Sequence, residues 1–271
     1  MHDIARFMAK TNPEARRSEL LIRLENGHSL AAIDLAREFE ISPDAIRRDL
    51  RMLAAQGLCR RVYGGALPLS SASGSFAQRE RTAHAQKAEL ARTALSLIED
   101  GMSLFLDSGS TNLELAKIIS GANLTVATNS PQIAQVLVSR PGVQLQVIGG
   151  HYSELVGGCV DLSAIASLKR MNFDLCFLGA CALSSRYGVA AFDASDAAFK
   201  RAALRRARRS AVLVTDEKLG TRAMYHVAGV SSVGVVVARS SLTETDKIEA
   251  LFRSDVEILS AEGSDRDAAS R

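Results

Sequence analysis

Cysteine is scarce in this sequence, and its distribution excludes two classes of protein. The four cysteines, Cys59, Cys159, Cys176 and Cys181, form no Cys-x-x-Cys pair, and no histidines cluster around them. Zinc sites and disulfide frameworks both depend on such spacings. We therefore predict no metal site and buried, reduced thiols, which are typical of a cytoplasmic protein.

Long hydrophobic runs are also lacking. No apolar stretch approaches the roughly 20 residues that span a bilayer, and the first residues, MHDIARFMAKTNPEARR, resemble no secretory signal, so we expect no membrane association. The net charge of +3 over 271 residues is too small by itself to indicate a nucleic-acid partner. A hydrophobic content of 47% is enough for the cores of one large or two smaller domains.

The character of the sequence changes twice along the chain. Residues 14–66 have the pattern of charged helices, whereas in residues 87–260 short apolar runs alternate with amphipathic stretches. The intervening residues 67–86 begin rich in Ser, Gly and Pro and end charged, which is typical of a linker that leads into a helix. We therefore predict two domains and a linker with these boundaries.

Three helix candidates and a short basic hairpin make up the first domain. The second helix is predicted to begin at Ser29 and to bury Ile33. The third has Ser42 as N-cap, Pro43 at its first position and Asp44 in its first turn, where the helix dipole favours a negative charge. The stretch LCRRVYGGALPL follows, with strand-like residues and a Gly-Gly turn. This order indicates a winged helix-turn-helix.

The third helix separates its arginines from its apolar residues. On a helical wheel Ile46, Leu50 and Leu53 form a buried stripe, and the basic residues lie on the opposite side near the amino terminus. Such a helix can enter the major groove of DNA, although a solvated amphipathic helix remains the alternative. The predicted DNA contacts are Ser42, Asp44, Arg47, Arg48, Arg51, Arg60 and Arg61.

A long motif in this region resembles a known family. The stretch AIDLAREFEISPDAIRRDLRMLAAQGLCRRVYGGA is similar to the amino-terminal domain of the DeoR family of bacterial transcription regulators. The IRRDL core, the QGL and the basic wing ending in GGA stand in the family's order. Ala45 replaces the usual Thr, so a hydroxyl that could contact phosphate is missing, and Tyr63 replaces the more usual His, a milder change. The resemblance continues over nearly the whole chain.

Alternating strands and helices fill the second domain, which predicts an α/β fold with a mostly parallel sheet. Ligands bind such sheets beyond the carboxyl ends of the strands. Three polar loops follow predicted strands there: DSGST at 107–111, TNS at 128–130 and the glycine pair at 149–150. A Ser/Gly/Thr loop before a helix can cradle a phosphate, although a simple helix cap is the alternative.

The resemblance implies a more specific site. DeoR-family sensor domains are similar in fold to ribose-5-phosphate isomerase, and these loops line their phosphosugar site. Asp193 and Asp196 stand where the family commonly has Asp and Glu, and Glu217 replaces a small hydroxyl residue. The residues implied for effector binding are Asp107, Ser108, Gly109, Ser110, Thr111, Thr128, Asn129, Ser130, Gly150, Asp196, Lys200 and Lys218.

An active phosphosugar isomerase or deaminase with an added DNA-binding domain is the alternative function. Sugar isomerisation needs a positioned carboxylate base. In isomerase-like folds an acidic pair follows a Gly-Ala after a central strand, but here Gly179 and Ala180 precede Cys181 and Ala182. We therefore predict no catalytic residues. A third possibility is a DNA-architectural protein without a ligand, which is disfavoured because such a protein does not need the three polar loops.

The sequence as a whole predicts a sugar-responsive repressor. We expect a cytoplasmic homo-oligomer, a dimer or tetramer, which binds operator DNA and is released by a phosphorylated sugar, with no cofactor. An arginine-rich stretch around residues 201–209 can also contact DNA or a partner subunit, or lie solvated on a helix face.

Overall fold

The structure is a computed structural model that describes residues 12–25, 30–56, 58–62, 64–68, 74–121, 123–239 and 256–261. Two compact units divide the chain, Met1–Gly74 and Ser75–Arg271. Residues 75–86 belong to the second unit and not to the linker predicted at 67–86, because a short helix begins there with a capping box formed by Ser75 and Gln78. The helix expected at 244–253 lies outside the described residues.

The first unit contains three helices and three short strands within its described residues. In chain order they are α1 (Pro13–Glu25), β1 (Leu30–Ala31), α2 (Ala32–Glu38), α3 (Pro43–Ala55), β2 (Cys59–Val62) and β3 (Gly65–Pro68). The strands pair antiparallel in the order β1-β3-β2, with β2 and β3 as the wing. This is the winged helix-turn-helix arrangement predicted from the sequence.

A small apolar core holds the three helices together. Ile46, Leu50 and Leu53 are buried against apolar residues of α1, α2 and the wing, as the helical wheel predicts. The start of α2 was predicted wrongly. It begins at Ala32, and its N-cap, Ala31, makes no side-chain hydrogen bond. Ile33 is 52% exposed, because it lies about 200° around the helix from buried Leu35, so the two cannot both face the core.

A buried ion pair ties α3 to α1. Asp49 is 3% exposed, and its Oδ2 atom lies 2.6 Å from the Nε of Arg16, which is 6% exposed. Arg17 lies 3.4 Å from the other carboxylate oxygen. Removing one partner of a buried pair leaves a charge without compensation, so this pair fixes the position of the arginine-bearing helix.

Substituting Asp49→Asn should therefore destabilise the first unit. Asparagine keeps an acceptor for Arg16 but loses the charge, so we expect a loss of about 1–3 kcal/mol in the free energy of unfolding. Differential scanning calorimetry measures the shift. Asp34→Asn is the matched control, because its carboxylate is 77% exposed and 3.9 Å from Arg37. Equal effects of the two substitutions would contradict the structural role of Asp49.

The second unit is an α/β domain. Its helices are α4 (Phe76–Glu80), α5 (His84–Ala94), α6 (Ser110–Ile118), α7 (Pro131–Leu137), α8 (Leu162–Leu168) and α9 (Ala194–Leu204). Its strands are β4 (Ser103–Leu106), β5 (Leu124–Thr128), β6 (Val143–Val147), β7 (Tyr152–Ser153), β8 (Gly158–Cys159), β9 (Phe173–Leu178), β10 (Ala182–Ser184), β11 (Gly188–Ala191), β12 (Ala207–Leu213), β13 (Tyr225–Ala228), β14 (Val235–Arg239) and β15 (Glu257–Ala261).

One fully parallel sheet forms the centre of this unit. In the described part of the chain its seven strands stand in the order β15-β14-β12-β9-β4-β5-β6. One apolar cluster on the sheet includes residues of α8 and α9, and another includes residues of α5, α6 and α7. Such two-sided cover explains why the strands are continuous apolar runs. The antiparallel trio β10-β11-β13 and the β7-β8 pair were not predicted.

The strand order reverses at the middle of the sheet. From β4 the chain proceeds to β5 and β6 on one side, returns to β9 on the other side of β4, and continues outward to β12, β14 and β15. In open α/β sheets the crevice for a ligand opens outside the carboxyl ends of the strands at this switch point. The loops after β4 and β9 are therefore the expected centre of a site.

Candidate functional site

The exposed face of α3 has three arginines in its amino-terminal and central turns. Arg47, Arg48 and Arg51 are exposed, while Ile46 of the same helix is fully buried. Arg47 donates to Asp44 one turn earlier, with 2.7 Å between the atoms. This pair holds one guanidinium close to the helix start, where a recognition helix meets base edges.

The flanks of α3 are positioned by local hydrogen bonds and by the wing. Ser42 is its N-cap, and its hydroxyl accepts a hydrogen bond of 3.2 Å from the Ala45 amide. Arg60 and Arg61 both lie in β2, and Arg61 is exposed. The side chain of Arg60 lies outside the described part of the structure. Gly64 turns the wing with a φ of +84°, a conformation that favours glycine.

At the switch point of the second unit, a buried lysine bridges two buried carboxylates. The Nζ of Lys200 lies 2.8 Å from Asp107 Oδ2 and 2.5 Å from Asp196 Oδ1. The backbone amide of Gly179 also donates to Asp107 Oδ2, at 2.9 Å. Asp107 follows β4, Gly179 follows β9, and the other two residues lie one turn apart on α9 after its N-cap, Asp193. The structure thus brings together three residues predicted for the effector site.

The electrostatics of this triad follow from its burial. Burial raises the pKa of Asp196 above its ordinary value, and the nearby Lys200 offsets this effect only in part. Burial opposes the charge of Lys200, but its two carboxylate partners outweigh it and raise the lysine pKa. Lys200 is therefore held as a cation, and its charge is already compensated from within the protein.

Four polar atoms of residues 107–111, which run from the end of β4 into the first turn of α6, are buried without a hydrogen-bond partner in the described residues. They are Asp107 Oδ1, Ser108 Oγ, Ser110 Oγ and Thr111 Oγ1. The helix α6 that follows has Gly109 as N-cap and no side-chain cap, so these hydroxyls are not helix caps. An unsatisfied buried polar group costs about 1–3 kcal/mol, which makes four in one loop a strong indication of a polar ligand.

The neighbouring loop after β5 is well satisfied and supports the first. Thr128 Oγ1 donates to the carbonyl of Leu106 at 2.7 Å and accepts from the Ser130 amide at 3.1 Å. Asn129 Oδ1 accepts from the Ser108 amide at 2.9 Å. All three TNS residues are buried. Their contacts fix the backbone of the polar loop, a supporting role more than a direct one.

Two further cations, Lys218 and Arg79, interact electrostatically with the triad from elements distant in sequence. Lys218 lies in a short 3-10 helix after β12, is 7% exposed, and has a pKa lowered by burial. Arg79 on α4 has a pKa lowered by burial, and it interacts electrostatically with Asp107 and Asp196. Sequence reasoning missed Arg79, because residues 67–86 read as a linker.

Lys87 on α5 is a second buried cation that the sequence did not reveal. It is 2% exposed, and its ammonium donates to the carbonyls of Arg79 and Thr82. Burial lowers its pKa to about 8, and the positive charges of Lys218 and Arg79 act in the same direction. Lys87 therefore supports the turn after α4, close to the other cations.

Other predicted residues have different surroundings. Gly150 is exposed with a φ of +151°, and a Cβ there would lie 2.2 Å from Asp161 Oδ1. That close approach explains the glycine without a ligand. Of the basic stretch, Arg208 and Arg209 lie in β12 instead of on a helix, and Arg209 pairs with Glu257 at 2.5 Å.

Metal-binding clusters and membrane-spanning helices are both absent from the described residues. Among them, no group of His, Cys, Asp or Glu side chains is placed to hold a metal ion. Within the same ranges, no helix has the length and apolar character that crossing a membrane requires.

Family comparisons decide the class of protein. The model of the DeoR-like helix-turn-helix domain matches residues 16–72, and that of the DeoR C-terminal sensor domain matches residues 82–240. The chain belongs to the DeoR family. The relatives that it matches are DNA-binding transcription regulators, so the chain is a regulator and not an enzyme.

Relatives of known role align over most of the chain. The L-fucose operon activator of Escherichia coli K12 is 30% identical over 87% of this chain and 99% of its own length. The glycerol-3-phosphate regulon repressor of the same strain is 30% identical over 75% of this chain and 81% of its own. The transcriptional repressor GlcR of Bacillus subtilis is 27% identical over 92% and 96%.

Among solved structures, ribose 5-phosphate isomerase A of Methanocaldococcus jannaschii aligns with 49% of this chain and 53% of its own, at 16% identity and a TM-score of 0.36. The overlap is too low to transfer any residue role. The predicted fold class, a winged helix-turn-helix followed by a parallel α/β sensor domain, is confirmed by the strand order and the two family matches.

Proposed function

We propose that this DeoR-family chain is the repressor of a carbohydrate catabolic operon, released from operator DNA by a phosphorylated sugar. The glycerol-3-phosphate regulon repressor and GlcR support repression, and the L-fucose operon activator is the counter-example among the relatives. Because the target is chromosomal DNA, we place the protein in the cytoplasm.

The proposed DNA-binding surface is the exposed side of α3 together with the wing. Arginine reads guanine through a bidentate fork or neutralises a phosphate, and the amino-terminal half of a recognition helix lies deepest in the groove. On the buried side of α3, the ion pair of Asp49 with Arg16 fixes the position of the helix. The contacts we propose are Ser42, Asp44, Arg47, Arg48, Arg51, Arg60 and Arg61.

The effector site rests on one observation, the four buried polar atoms of residues 107–111 that have no hydrogen-bond partner among the described residues. Three are hydroxyls at or near the amino terminus of α6, where the helix dipole favours an anion, so they suit a phosphate group. The fourth is a carboxylate oxygen of Asp107. A carboxylate repels phosphate but accepts hydrogen bonds from sugar hydroxyls, so it orients the sugar.

The surroundings of this loop suit the same ligand. Lys218 is a buried lysine, whereas the charge of Lys200 is compensated by two carboxylates and the guanidinium of Arg79 is held by the carbonyls of Leu155 and Val156. The supporting residues we propose are Gly109, Thr128, Asn129, Ser130, Gly150, Asp196 and Lys200. Of these, Gly150 has the weakest support, because Asp161 explains it.

Release from DNA follows from a shift in population. The effector stabilises a conformation in which paired DNA-binding units no longer fit the operator, and a 100-fold loss of operator affinity needs only about 2.7 kcal/mol of coupling. Operator half-sites mirror protein symmetry, so we propose a homo-oligomer, either a dimer or a tetramer.

The double substitution Ser110→Ala with Thr111→Val tests the effector site. It removes two unpartnered buried hydroxyls, so we expect an unchanged or higher melting temperature together with loss of effector response. Operator binding is titrated with and without ribose 5-phosphate, glucose 6-phosphate, fructose 1-phosphate and glycerol 3-phosphate. The DNA is the protein's own upstream region.

Thr125→Val is the matched control, because Thr125 is exposed on β5. It should respond to the same sugar phosphate as the parent. A double variant that melts lower and still releases DNA would show that the hydroxyls only stabilise the helix, and the proposed site would be wrong. A parent that binds operator unaffected by every compound would contradict the sugar-phosphate effector.

A further inference from the structure

The first element of the second unit is a helix too short to hold its own position. The helix α4 spans five residues, Phe76–Glu80, and follows Ser75, the residue at which the second unit begins. A helix of this length is not stable in water by itself, so its tertiary contacts determine where it lies. A shift of α4 therefore also shifts Ser75, the residue at which the chain enters the second unit.

Those contacts are made to the segment that joins β7 and β8. The two terminal nitrogens of Arg79 each donate a hydrogen bond of 2.8 Å, one to the carbonyl of Leu155 and one to that of Val156. The Phe76 ring lies against Gly157, where a Cβ would be 2.3 Å from the ring. The amide of Phe76 donates to the carbonyl of Glu154 at 3.3 Å.

The same segment contacts the effector loops at its other end. The amide of Cys159 donates to the carbonyl of Asn129 at 2.9 Å, and the Asn129 side chain returns a bond of 3.2 Å to the Cys159 carbonyl. A Cβ on Gly158 would lie 2.7 Å from that of Ser108, so the backbones approach closely. Ser108 Oγ is one of the unpartnered buried atoms.

Because Ser108 and Gly158 are packed so closely, a ligand that binds Ser108 and shifts it also shifts residues 158–159. We infer that the segment Tyr152–Cys159 and α4 form a relay that transmits effector binding to the start of the second unit, with Arg79 as its positioning residue. The inference rests on the proposed function of the 107–111 loop. The coupled contacts run from Ser108 through Gly158 and Gly157 to Phe76 and Arg79.

Lys87 holds the end of α4 from the side of α5. Its buried ammonium donates to the carbonyls of Arg79 and Thr82, so the end of α4 is held from α5 while its side chains hold the β7-β8 segment. Because α4 is fixed on two sides, a shift of the segment moves the helix as a unit instead of being absorbed by a loose turn.

Two substitutions disrupt the relay without changing any residue of the loop 107–111. Arg79→Lys keeps the positive charge but replaces the two-carbonyl fork with a single ammonium. Gly157→Ala wedges a methyl group against the Phe76 ring. The controls are Arg81→Lys, an exposed arginine, and Gly101→Ala, which has a similar φ of +80° but no atom within 4 Å of the added methyl.

The full-length protein is titrated with operator DNA and with whichever of the four sugar phosphates releases the parent. We expect both variants to bind that compound within threefold of the parent, measured by isothermal calorimetry, yet to show at least a tenfold smaller shift in operator affinity. By reciprocity, operator DNA should weaken compound binding in the parent and in both controls, but not in the variants.

The outcomes separate the relay from the site. Release equal to that of the parent in both variants would overturn the relay and leave the effector site intact. Loss of compound binding in both would also overturn it, because these residues would then belong to the pocket. A parent released by no compound would remove the effector site itself, and the relay with it. If one variant fails to fold, the other decides.

Discussion

Substituting Lys200→Met should lower the free energy of unfolding of the second unit by about 3–5 kcal/mol, the usual cost of breaking a buried ion pair from one side. Methionine fills much of the same volume, so the loss reflects charge and not a cavity. Asp107 and Asp196 would face each other as buried carboxylates without the lysine between them, although the Gly179 amide would still donate to Asp107 and Arg79 would still interact with both electrostatically. Denaturation followed by tyrosine fluorescence measures it, because three of the four tyrosines lie in the second unit.

The pH dependence of this variant has a definite sign. Burial already raises the pKa of Asp196 in the parent, and removing the lysine raises it further. A carboxyl whose folded pKa exceeds its unfolded value binds protons preferentially in the folded state, so stability increases as the pH falls. The deficit of Lys200→Met relative to the parent should therefore shrink as the pH falls from neutral towards about 4, the ordinary pKa of an aspartate.

Lys169→Met is the control for this pair of measurements, since Lys169 is exposed after α8. Its stability should stay within about 0.5 kcal/mol of the parent at every pH. A deficit of Lys200→Met that is equally small, or that grows towards acid, would show that the triad does not stabilise the unit through its charges.

The sequence predicted best what local patterns determine. The period of Ile46, Leu50 and Leu53 placed the arginines on the outer face of α3, because a 3.6-residue repeat leaves only one buried stripe. The parallel sheet followed from alternating apolar runs and amphipathic stretches, because parallel strands need helical crossovers. Both patterns lie within a few turns of chain, which is the range over which sequence reasoning is strongest.

What the sequence could not reveal depends on partners far along the chain. The burial of Asp49 could not be predicted from the sequence, since its partner Arg16 is 33 residues away and no periodicity links them. Arg79 was read as part of a linker, since its carbonyl acceptors lie at 155 and 156. The composition of residues 67–86 resembles a linker, and only tertiary contacts make residues 75–86 part of the second unit.

The effector loop shows both what the sequence can predict and what it cannot. The DSGST motif could be placed at a strand end from the sequence, but a helix cap and a ligand site have the same residue types. The distinction lies in the hydrogen bonds: Gly109 is the cap position and the hydroxyls have no partner in the described residues. Whether such a motif is a helix cap or a ligand site can be decided only after the hydrogen-bond partner of every buried polar atom is known.

Substituting Arg47→Ala together with Arg48→Ala should weaken operator binding by at least about 100-fold, since each bidentate base contact contributes about 1–3 kcal/mol. The melting temperature should hardly change, because both side chains are exposed and the core stripe of α3 is untouched. Binding is titrated at two salt concentrations. If either arginine binds phosphate, the slope of log affinity against log salt should fall by about one for each such arginine removed, whereas an arginine that binds a base leaves the slope nearly unchanged.

Lys169→Ala with Arg170→Ala is the matched control, because it removes the same two charges from exposed positions in the second unit. It should bind operator close to the parent, which separates a local contact from a general loss of charge. Asp44→Ala isolates the pair at the helix start: it frees Arg47 and removes a negative charge near the phosphates. If Asp44 accepts from a cytosine, as its place among the proposed contacts implies, the variant should bind operator more weakly than the parent, and binding as tight or tighter would remove Asp44 from these contacts. If the double arginine variant binds like the parent, α3 is not the recognition helix, and the DNA contact must lie on another face of the first unit.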